Sequence, residues 1–309
     1  MLHLPNYKTT WDAKSTTPTH AMLSVDGSAN EERLRTSGAY TARMVTAALD
    51  LKPTDRVLEL GCGVGRIGLE IAPKVLHWEG ADISKNMLDV ARQRLSGQNN
   101  VGFTELKQSR LDGLADASFD KAYCVAVFIH MDKEDFFLYL EELARVLKPG
   151  GVLFFDTWNL ASTVGWRRFM LEVEQHRNAD HLQRKDVARN QFSTPEEVRA
   201  YLKAAGFETL LVMSDSPWVQ AVAQKPGAGV DAAKLRASLE SRVASIAYTP
   251  LWTELFDRML AVAHAGDPPQ SMLDGLGDDA RGEEIPMFRQ WFLDLWRHNQ
   301  AHWGPPPAG

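Results

Sequence analysis

Short apolar segments alternate with helical patterns through the first half of the chain, and this alternation most constrains the fold. The segments of strand length are Arg56–Leu60, His77–Asp82, Val101–Leu106, Phe119–Phe128 and Val152–Asp156. Strands that alternate with helices form parallel sheets covered by helices on both faces. The sequence therefore predicts an α/β fold with a doubly wound, mostly parallel sheet.

The chain continues beyond this alternation. Phe207–Met213 and Trp218–Gln224 follow each other closely, which predicts a hairpin of two final strands. A stretch that contains Gly and Pro at residues 224–229 then marks a boundary. The remaining residues have helical patterns rich in Trp and Phe, interrupted by an irregular, charge-rich stretch, Gly266–Pro286. We therefore expect the sheet to be followed by a helical C-terminal extension.

The composition is that of a globular protein. The 309 residues are 44% hydrophobic and 24% charged, with a formal charge of −6. This mild acidity gives no electrostatic reason to expect nucleic acid or a membrane surface as a partner. Two cysteines, Cys62 and Cys124, suit a reducing compartment, and neither a signal peptide nor a membrane-spanning run is recognisable. The expected location is the cytoplasm.

The sharpest feature is a glycine-rich turn between the first strand and its helix, Glu59-Leu60-Gly61-Cys62-Gly63-Val64-Gly65-Arg66. Glycines at such a turn reach positive φ and let a ligand approach the backbone. The carboxyl ends of parallel strands are also where open α/β sheets bind ligands. The dinucleotide pattern GxGxxG fails from Gly61 but fits from Gly63 through Gly65 to Gly68. The glycines alone therefore leave the class of ligand open.

Two acidic residues favour a cationic ligand that carries a ribose. Glu59 precedes the turn, where its charge would repel a pyrophosphate and attract a cationic or amino-bearing group. Asp82 ends the second strand, a position from which a carboxylate accepts hydrogen bonds from a ribose diol. The alternative for Asp82 is a role at the start of the helix that begins near Ser84.

At these motifs the chain resembles the class I S-adenosylmethionine-dependent methyltransferases, over about residues 35–224. The residues that carry the resemblance are Val57–Arg66, Gly80-Ala81-Asp82-Ile83-Ser84 with Met87-Leu88 and Ala91-Arg92, Ser118-Phe119-Asp120, and Arg145-Val146-Leu147-Lys148-Pro149-Gly150-Gly151. The resemblance implies a Rossmann-like sheet of seven strands, mostly parallel, with the last strand antiparallel. It also implies S-adenosylmethionine as the cofactor.

The resemblance assigns parts of the cofactor to particular residues. Those expected around it are Glu59, Gly61, Cys62, Gly63, Gly65, Asp82, Ile83 and Met87. The methionine part would lie against the glycine turn, the ribose on Asp82, and the adenine on Ile83 and Met87. The family often has an acidic residue after the third strand for the adenine amino group, and here none is obvious. Gln108, Arg110 and Leu111 are the residues expected to take its place.

Methyl transfer needs aligned reactants and, for a hydroxyl or ammonium acceptor, a base. His130, after the fourth strand, is the candidate general base because imidazole titrates near neutrality; packing at the turn is the alternative. Asp132 is expected to cap the next helix, and Asp156 suits either the site or the loop. His130, Asp132 and Asp135 do not have the spacing of a recognised ligand set, so we expect no metal.

Substrate contacts are expected from the flanks of the core. Tyr7, Trp11, Tyr40 and Trp158 are the aromatic candidates for an acceptor pocket. We divide the chain into an N-terminal segment that covers the active site, a catalytic core, a helical extension and a flexible Pro-rich tail. The bounds of these parts are 1–34, 35–225, 226–303 and 304–309. The extension suits a lid, a homodimer surface or a buttress.

These features predict an enzyme that transfers a methyl group from S-adenosylmethionine to an oxygen or nitrogen atom of a small organic acceptor, by in-line displacement. Two alternatives stay open. One is a non-catalytic subunit that binds S-adenosylmethionine within a complex, which the missing adenine acid and the appended helices motivate. The other is an NAD-type oxidoreductase that uses the glycine pattern starting at Gly63.

Overall fold

A computed structural model describes residues 6–180, 189–229 and 231–307. Its strands are β1 (Arg56–Leu60), β2 (His77–Asp82), β3 (Val101–Glu105), β4 (Phe119–Cys124), β5 (Leu147–Asn159), β6 (Phe192–Ser193), β7 (Glu208–Met213) and β8 (Trp218–Gln224). Within the described residues they form one sheet of order β3-β2-β1-β4-β5-β8-β7, with β6 beside the end of β5.

The direction of the strands agrees with the expected topology. β8 is antiparallel to both of its neighbours, β5 and β7. The other pairings are parallel, so the carboxyl ends of β1, β2, β3 and β4 meet at one edge of the sheet. The predicted α/β class, parallel core and antiparallel closing strand are confirmed. The two-residue strand β6 was not expected and raises the number of described strands to eight.

Helices surround this sheet and continue beyond it. They are α1 (Tyr7–Lys14), α2 (Pro18–Asp26), α3 (Glu31–Leu49), α4 (Gly68–Ile71), α5 (Lys85–Arg94), α6 (Lys133–Val146), α7 (Thr163–Gln175), α8 (Pro195–Ala204), α9 (Ala232–Glu240), α10 (Pro250–Leu260), α11 (Pro269–Leu276), α12 (Glu284–His298) and α13 (Gln300–Trp303). No helix among the described residues is both long enough and apolar enough to cross a bilayer.

Capping residues explain the two N-terminal helices, whose weak periodicity does not reveal them in the sequence. Asn6 and Thr9 form a reciprocal capping box at the start of α1. Thr17 accepts a hydrogen bond from the backbone of His20, and Pro18 occupies the first turn of α2. Such caps satisfy backbone N–H groups that have no partner within the helix.

Several predicted bounds need correction. The fourth strand ends at Cys124 rather than Phe128, because the chain turns into a 3₁₀ helix at residues 128–130. The stretch Gly266–Pro286 is not irregular throughout, since it contains α11. Asp132 occupies the N-cap position of α6, but its side chain makes no capping hydrogen bond. Of the predicted tail, residues 305–307 have no regular structure, while residues 308–309 lie outside the described residues.

The C-terminal extension has its own apolar core, which continues into α3. Phe292 is fully buried, and Phe288 and Trp296 are nearly so. This core includes Tyr40 and Met44, two residues of α3. The large aromatic side chains of α12 therefore bury their surface within the chain, against the helix that precedes the sheet.

Candidate active site

The glycine turn follows β1 and lies at the carboxyl edge of the sheet. Gly61 and Gly63 have φ angles of 71° and 51°, a region that non-glycine residues rarely adopt. The amides of Gly61 and Cys62 both donate to the carbonyl oxygen of Ala81, at 2.7 and 3.1 Å. These bonds hold the turn against the end of β2.

Neighbouring side chains pack directly on the glycines of this turn. A Cβ atom at Gly61 would overlap the side chain of Val127. A Cβ atom at Gly63 would lie 2.9 Å from Cγ2 of Val25, a residue of α2. Glycine is thus required both by the backbone conformation and by the close approach of the loop after β4 and of α2.

Glu59 lies beneath the turn in a chain of buried hydrogen bonds. Its Oε2 accepts from the hydroxyl of Tyr123 at 2.6 Å, and that hydroxyl accepts from Nε1 of Trp78 at 3.0 Å. Burial raises the pKa of Glu59 to about 8, although the bond from Tyr123 acts in the opposite direction. A cation in contact with this carboxyl group would favour its ionised form.

Asp82 connects the glycine turn to the start of α5. One carboxylate oxygen accepts from the amide of Gly63 and the other from the amide of Ser84, both at 2.8 Å. Burial raises the pKa of Asp82 to about 6, while these backbone bonds lower it. Ser84 itself caps α5 by accepting from the amide of Met87. Each oxygen of Asp82 keeps a further lone pair, so the structural role leaves room for hydroxyl donors.

A cavity brings these groups together with the N-terminal helices. Its walls are Tyr7, Trp11, Ser24, Val25, Glu59, Leu60, Gly61, Cys62, Gly63, Arg66, Ile67, Asp82, Ile83, Met87, Leu106, Val125, Ala126, Val127, Ile129, His130, Met131 and Tyr139. The expected cofactor residues at the ends of β1 and β2 lie in this set, apart from Gly65. Residues from α1, from α2 and from the loop after β4 enclose them.

Helix α1 is fastened to the sheet by polar side chains. Lys8 donates to the carbonyl oxygen of Ile83 at 3.2 Å and forms an ion pair with Glu105 at 2.7 Å. Asp12 accepts from the hydroxyl of Ser84 at 2.7 Å. These contacts hold Tyr7 and Trp11 over the cavity.

His130 lies in the cavity beside α1. The centre of its ring is 5.0 Å from that of Trp11, in an edge-on arrangement. The hydroxyl of Tyr7 accepts from the amide of Asp132 at 2.9 Å, so α1 also contacts the start of α6. The imidazole is thus placed by packing against an aromatic wall of the same cavity.

Two of the four aromatic candidates for the acceptor pocket lie elsewhere. The hydroxyl of Tyr40 donates to Glu284 at 3.1 Å and accepts from Nε1 of Trp252, inside the core of the extension. Trp158 stacks on Trp218 with ring centres 5.0 Å apart. Tyr40 contacts an aromatic side chain of the extension, and Trp158 contacts one of β8. The positions of Tyr40 and Trp158 in the sequence do not reveal these contacts.

The residues expected to replace the adenine acid also lie outside the cavity. Gln108 and Arg110 are exposed, and Arg110 forms a surface ion pair with Asp112 at 3.3 Å. Leu111 is fully buried in the core. From this part of the chain Leu106, which the sequence did not single out, lines the cavity. The backbone of Gln108 is held by the hydroxyl of Tyr139, which donates to its carbonyl oxygen at 3.0 Å, while the Gln108 side chain is exposed.

Arg66 lines the cavity, although sequence reasoning missed it. Its guanidinium donates to Oγ1 of Thr41 at 3.1 Å, and its Nε lies 4.0 Å from Oδ1 of Asp26. Its position directly after the last glycine of the turn is the signal from which it could have been identified. Ser24 and Val25 gave no signal, because the helix that carries them was not expected.

The cysteines do not have the environment of nucleophiles. Cys62 lies in the cavity wall and Cys124 in the core, and burial raises the pKa of both thiols. Among the residues that the structure describes, no three His, Cys, Asp or Glu side chains are grouped so as to hold a metal ion.

Comparison with known proteins identifies a family for the central part of the chain, which contains the glycine turn, Asp82 and His130. A family profile described as a methyltransferase domain matches residues 57–151. The methyltransferase GfsG of Streptomyces halstedii is 35% identical over 124 residues, which cover 39% of this chain and 44% of GfsG. The ubiquinone biosynthesis O-methyltransferase of Aromatoleum aromaticum is 30% identical over 175 residues, which cover 53% of this chain and 70% of that protein. The chain thus spans less than half the length of the first relative and over two thirds of the second.

The fold is shared with solved structures too. A candidate methyltransferase of Bacillus halodurans is 18% identical and superposes with a TM-score of 0.50, over 60% of this chain and 99% of its own. That likeness concerns the fold, whereas the family profile matches the sequence of the stretch that contains the glycine turn. The chain belongs to the class I S-adenosylmethionine-dependent methyltransferases.

Proposed function

We propose that this protein transfers a methyl group from S-adenosylmethionine to an oxygen or nitrogen atom of a small organic acceptor, by in-line displacement. The observation that carries the proposal is the cavity at the ends of β1 and β2. It combines a glycine turn, two buried carboxyl groups and a wall of aromatic side chains. Such a mixture of apolar walls and few polar groups is typical of small-molecule sites.

The residues present fit this cofactor. When bound, it supplies a methyl group on a positively charged sulfur. Glu59 would stabilise the cationic methionine part, because its buried carboxyl group ionises when a cation compensates the cost of burial. Asp82 would accept from the ribose hydroxyls, and Ile83 and Met87 would pack on the adenine. Leu106 supplies a further apolar wall, and no acidic side chain is required there.

His130 is the proposed general base. It lies in the same cavity as Glu59 and Asp82, and its contact with Trp11 orients the ring. A neutral imidazole would accept the proton of an acceptor hydroxyl or ammonium group. The relatives include both O-methyltransferases and N-methyltransferases, which supports either oxygen or nitrogen as the atom methylated.

The flanking parts receive corresponding roles. We assign catalysis to residues 35–225, with residues 1–34 as the cover of the cavity. The buried aromatic face of α12 supports a buttress rather than a lid or homodimer surface for residues 226–303. Two buried thiols with raised pKa values suit the reducing cytoplasm as the location.

Titration calorimetry with S-adenosylhomocysteine and with NAD tests the cofactor. We expect binding of the first and none of the second. Asp82→Ala should weaken binding about tenfold to hundredfold, as expected for lost hydrogen bonds to a charged group. Asp215→Ala, which changes an exposed aspartate, is the matched control and should leave the affinity unchanged. Binding of NAD alone would contradict the proposal.

Transfer of a labelled methyl group to a panel of phenols, carboxylates and amines tests catalysis. We expect product from at least one class, and His130→Ala should reduce its rate about a hundredfold or more. Tight binding of S-adenosylhomocysteine without transfer to any acceptor would favour the non-catalytic subunit instead.

A further inference from the structure

Asp156 lies towards the carboxyl end of β5, and β4 separates that strand from β1, the strand that carries Glu59. It is 1% exposed and belongs to the last part of β5. Its Oδ1 accepts from the amide of Ala126 at 2.7 Å, and its Oδ2 accepts from the hydroxyl of Tyr248 at 2.9 Å. The carboxylate thus joins the loop after β4 to the C-terminal extension.

Ala126 has a conformation that needs support. Its φ angle is 58°, in the left-handed region, where the Cβ of an alanine is disfavoured. The residues on either side, Val125 and Val127, line the cavity with it, and Val127 packs on Gly61. The backbone of Ala126 therefore sets where Val127 lies relative to the glycine turn.

Tyr248 is itself held in place by several contacts. Gln220, on β8, accepts from the amide of Tyr248 at 2.9 Å and donates to the carbonyl oxygen of Ile246 at 3.0 Å. The ring of Tyr248 packs between Trp218 and Trp252, with ring centres 4.7 and 4.8 Å away. Its hydroxyl is thus held against Asp156 by the hydrogen bond of its backbone to Gln220 and by the two tryptophan rings.

We propose that Asp156 and Tyr248 are positioning residues, which hold the loop Val125–Val127 in the shape that completes the cofactor cavity. The C-terminal extension thereby contributes to a site whose walls all come from earlier parts of the chain. The inference rests on the proposed binding of S-adenosylmethionine. It goes further by connecting that binding to residues beyond the matched domain, residues 57–151.

The substitution Ala126→Gly tests whether Asp156 acts by positioning the loop or only by stabilising the fold. Glycine adopts positive φ without cost, so it should make the support from Asp156 dispensable. We expect Asp156→Ala to weaken the binding of S-adenosylhomocysteine about tenfold, and the Ala126→Gly single variant is measured as the reference for the double variant. The double variant Asp156→Ala with Ala126→Gly should recover most of the affinity. Calorimetry at one temperature, with melting temperatures measured alongside, gives the comparison.

Tyr248→Phe extends the test to the extension and removes only one hydroxyl group. We expect it to weaken binding two- to threefold or more, with rescue by Ala126→Gly. Tyr201→Phe is the matched control, since that tyrosine lies on α8, packs against Phe136 and Phe137 and is not part of the cavity wall.

Two results would overturn the inference. One is unchanged affinity in folded Asp156→Ala and Tyr248→Phe variants. The other is a loss of affinity that the glycine fails to restore, because that loss would come from general disruption of β5. A wild-type protein that does not bind S-adenosylhomocysteine would instead refute the proposed function, and this inference with it.

Discussion

Glu59 illustrates how the surroundings of a single residue change its chemistry. Its carboxyl group is buried, its neighbours are the hydroxyl of Tyr123 and the indole of Trp78, and its pKa rises from 4.5 to about 8. Between these two values the folded protein holds a proton that the unfolded chain has released. This group therefore lowers the free energy of unfolding as the pH rises through that window.

We expect Glu59→Gln to reduce the loss of stability between pH 6 and pH 8. Asp82 and Asp156 have pKa values of about 6, so they affect the pH dependence of stability mainly below this range. The slope of the unfolding free energy against pH should become shallower by up to about 1.4 kcal/mol per pH unit. Urea unfolding at several pH values measures it.

Glu174→Gln changes an exposed glutamate and is the control for this experiment. Its profile should follow that of the wild-type protein. Equal slopes for Glu59→Gln and the wild-type protein would show that Glu59 is ionised in the folded state.

At the scale of elements, the order of the core strands was predicted because their signal is local, although β5 spans Leu147–Asn159 rather than the predicted Val152–Asp156. The bounds of β1, β2 and β8 agree with the sequence prediction to the residue. The N-terminal helices were missed because their stability depends on caps and on contacts with distant residues, such as that of Lys8 with Glu105. A helix of 8 residues with a weak apolar face gives little periodic signal.

The same reasoning separates the site residues that were predicted from those that were not. Glu59 and Asp82 could be placed from sequence, because the end of a parallel strand fixes on which edge of the sheet its residues lie. The surroundings of Tyr40 and Trp158 could not, because they depend on partners such as Trp252 and Trp218, far away along the chain. Arg66 could not be assigned to the site from sequence, because the sequence does not show in which direction the turn points its side chain.

The contact of Gly61 with Val127 makes the glycine turn sensitive to a single methyl group. We expect Gly61→Ala to destabilise the protein by about 2–5 kcal/mol, because positive φ and the overlap with Val127 both oppose it. Thermal unfolding measures the change. Gly97→Ala is the control, since a Cβ atom there would meet no atom within 4 Å. Similar melting temperatures for the two variants would contradict this packing.

Helix α1 supplies an aromatic wall, and Trp11 tests its contribution. We expect Trp11→Ala to weaken the binding of S-adenosylhomocysteine about tenfold, because the cavity loses the ring that packs against His130. The melting temperature of the ligand-free protein should also fall, because Trp11 packs on a buried cluster that includes Leu34 and Met87, so affinity is compared at a temperature where the variant is folded. Trp166→Ala removes a tryptophan that is 52% exposed and should bind like the wild-type protein. Equal affinities for both variants would remove α1 from the site.

At the scale of the whole molecule, side chains of the core and of the extension contact each other. Arg242 pairs with Asp50, at the end of α3, at 3.1 Å, and Gln220 holds the segment before α10. The aromatic face of α12 meets α3. We therefore expect the two parts to unfold together.

Phe292→Ala tests this cooperativity. Removal of this fully buried ring should lower the free energy of unfolding by about 3–5 kcal/mol, as truncations of large buried aromatic side chains do. Differential scanning calorimetry should show one transition at a lower temperature, because the core loses its support along with the extension. Val243→Ala, at a side chain that is 37% exposed, should leave the transition nearly unchanged. Two separate transitions would mean that the extension is an independent unit.

The fastening of α1 has a consequence for turnover. The polar contacts that keep this helix over the cavity include a buried one, between the hydroxyls of Ser15 and Ser84, and half-exposed ones, such as the ion pair of Lys8 with Glu105. Surface ion pairs contribute about 1 kcal/mol or less each, and salt screens them. We therefore expect α1 to open away from the cavity more readily at high ionic strength, while the sheet stays intact. The time for which S-adenosylhomocysteine stays bound would then depend on this opening, and rising ionic strength would shorten it.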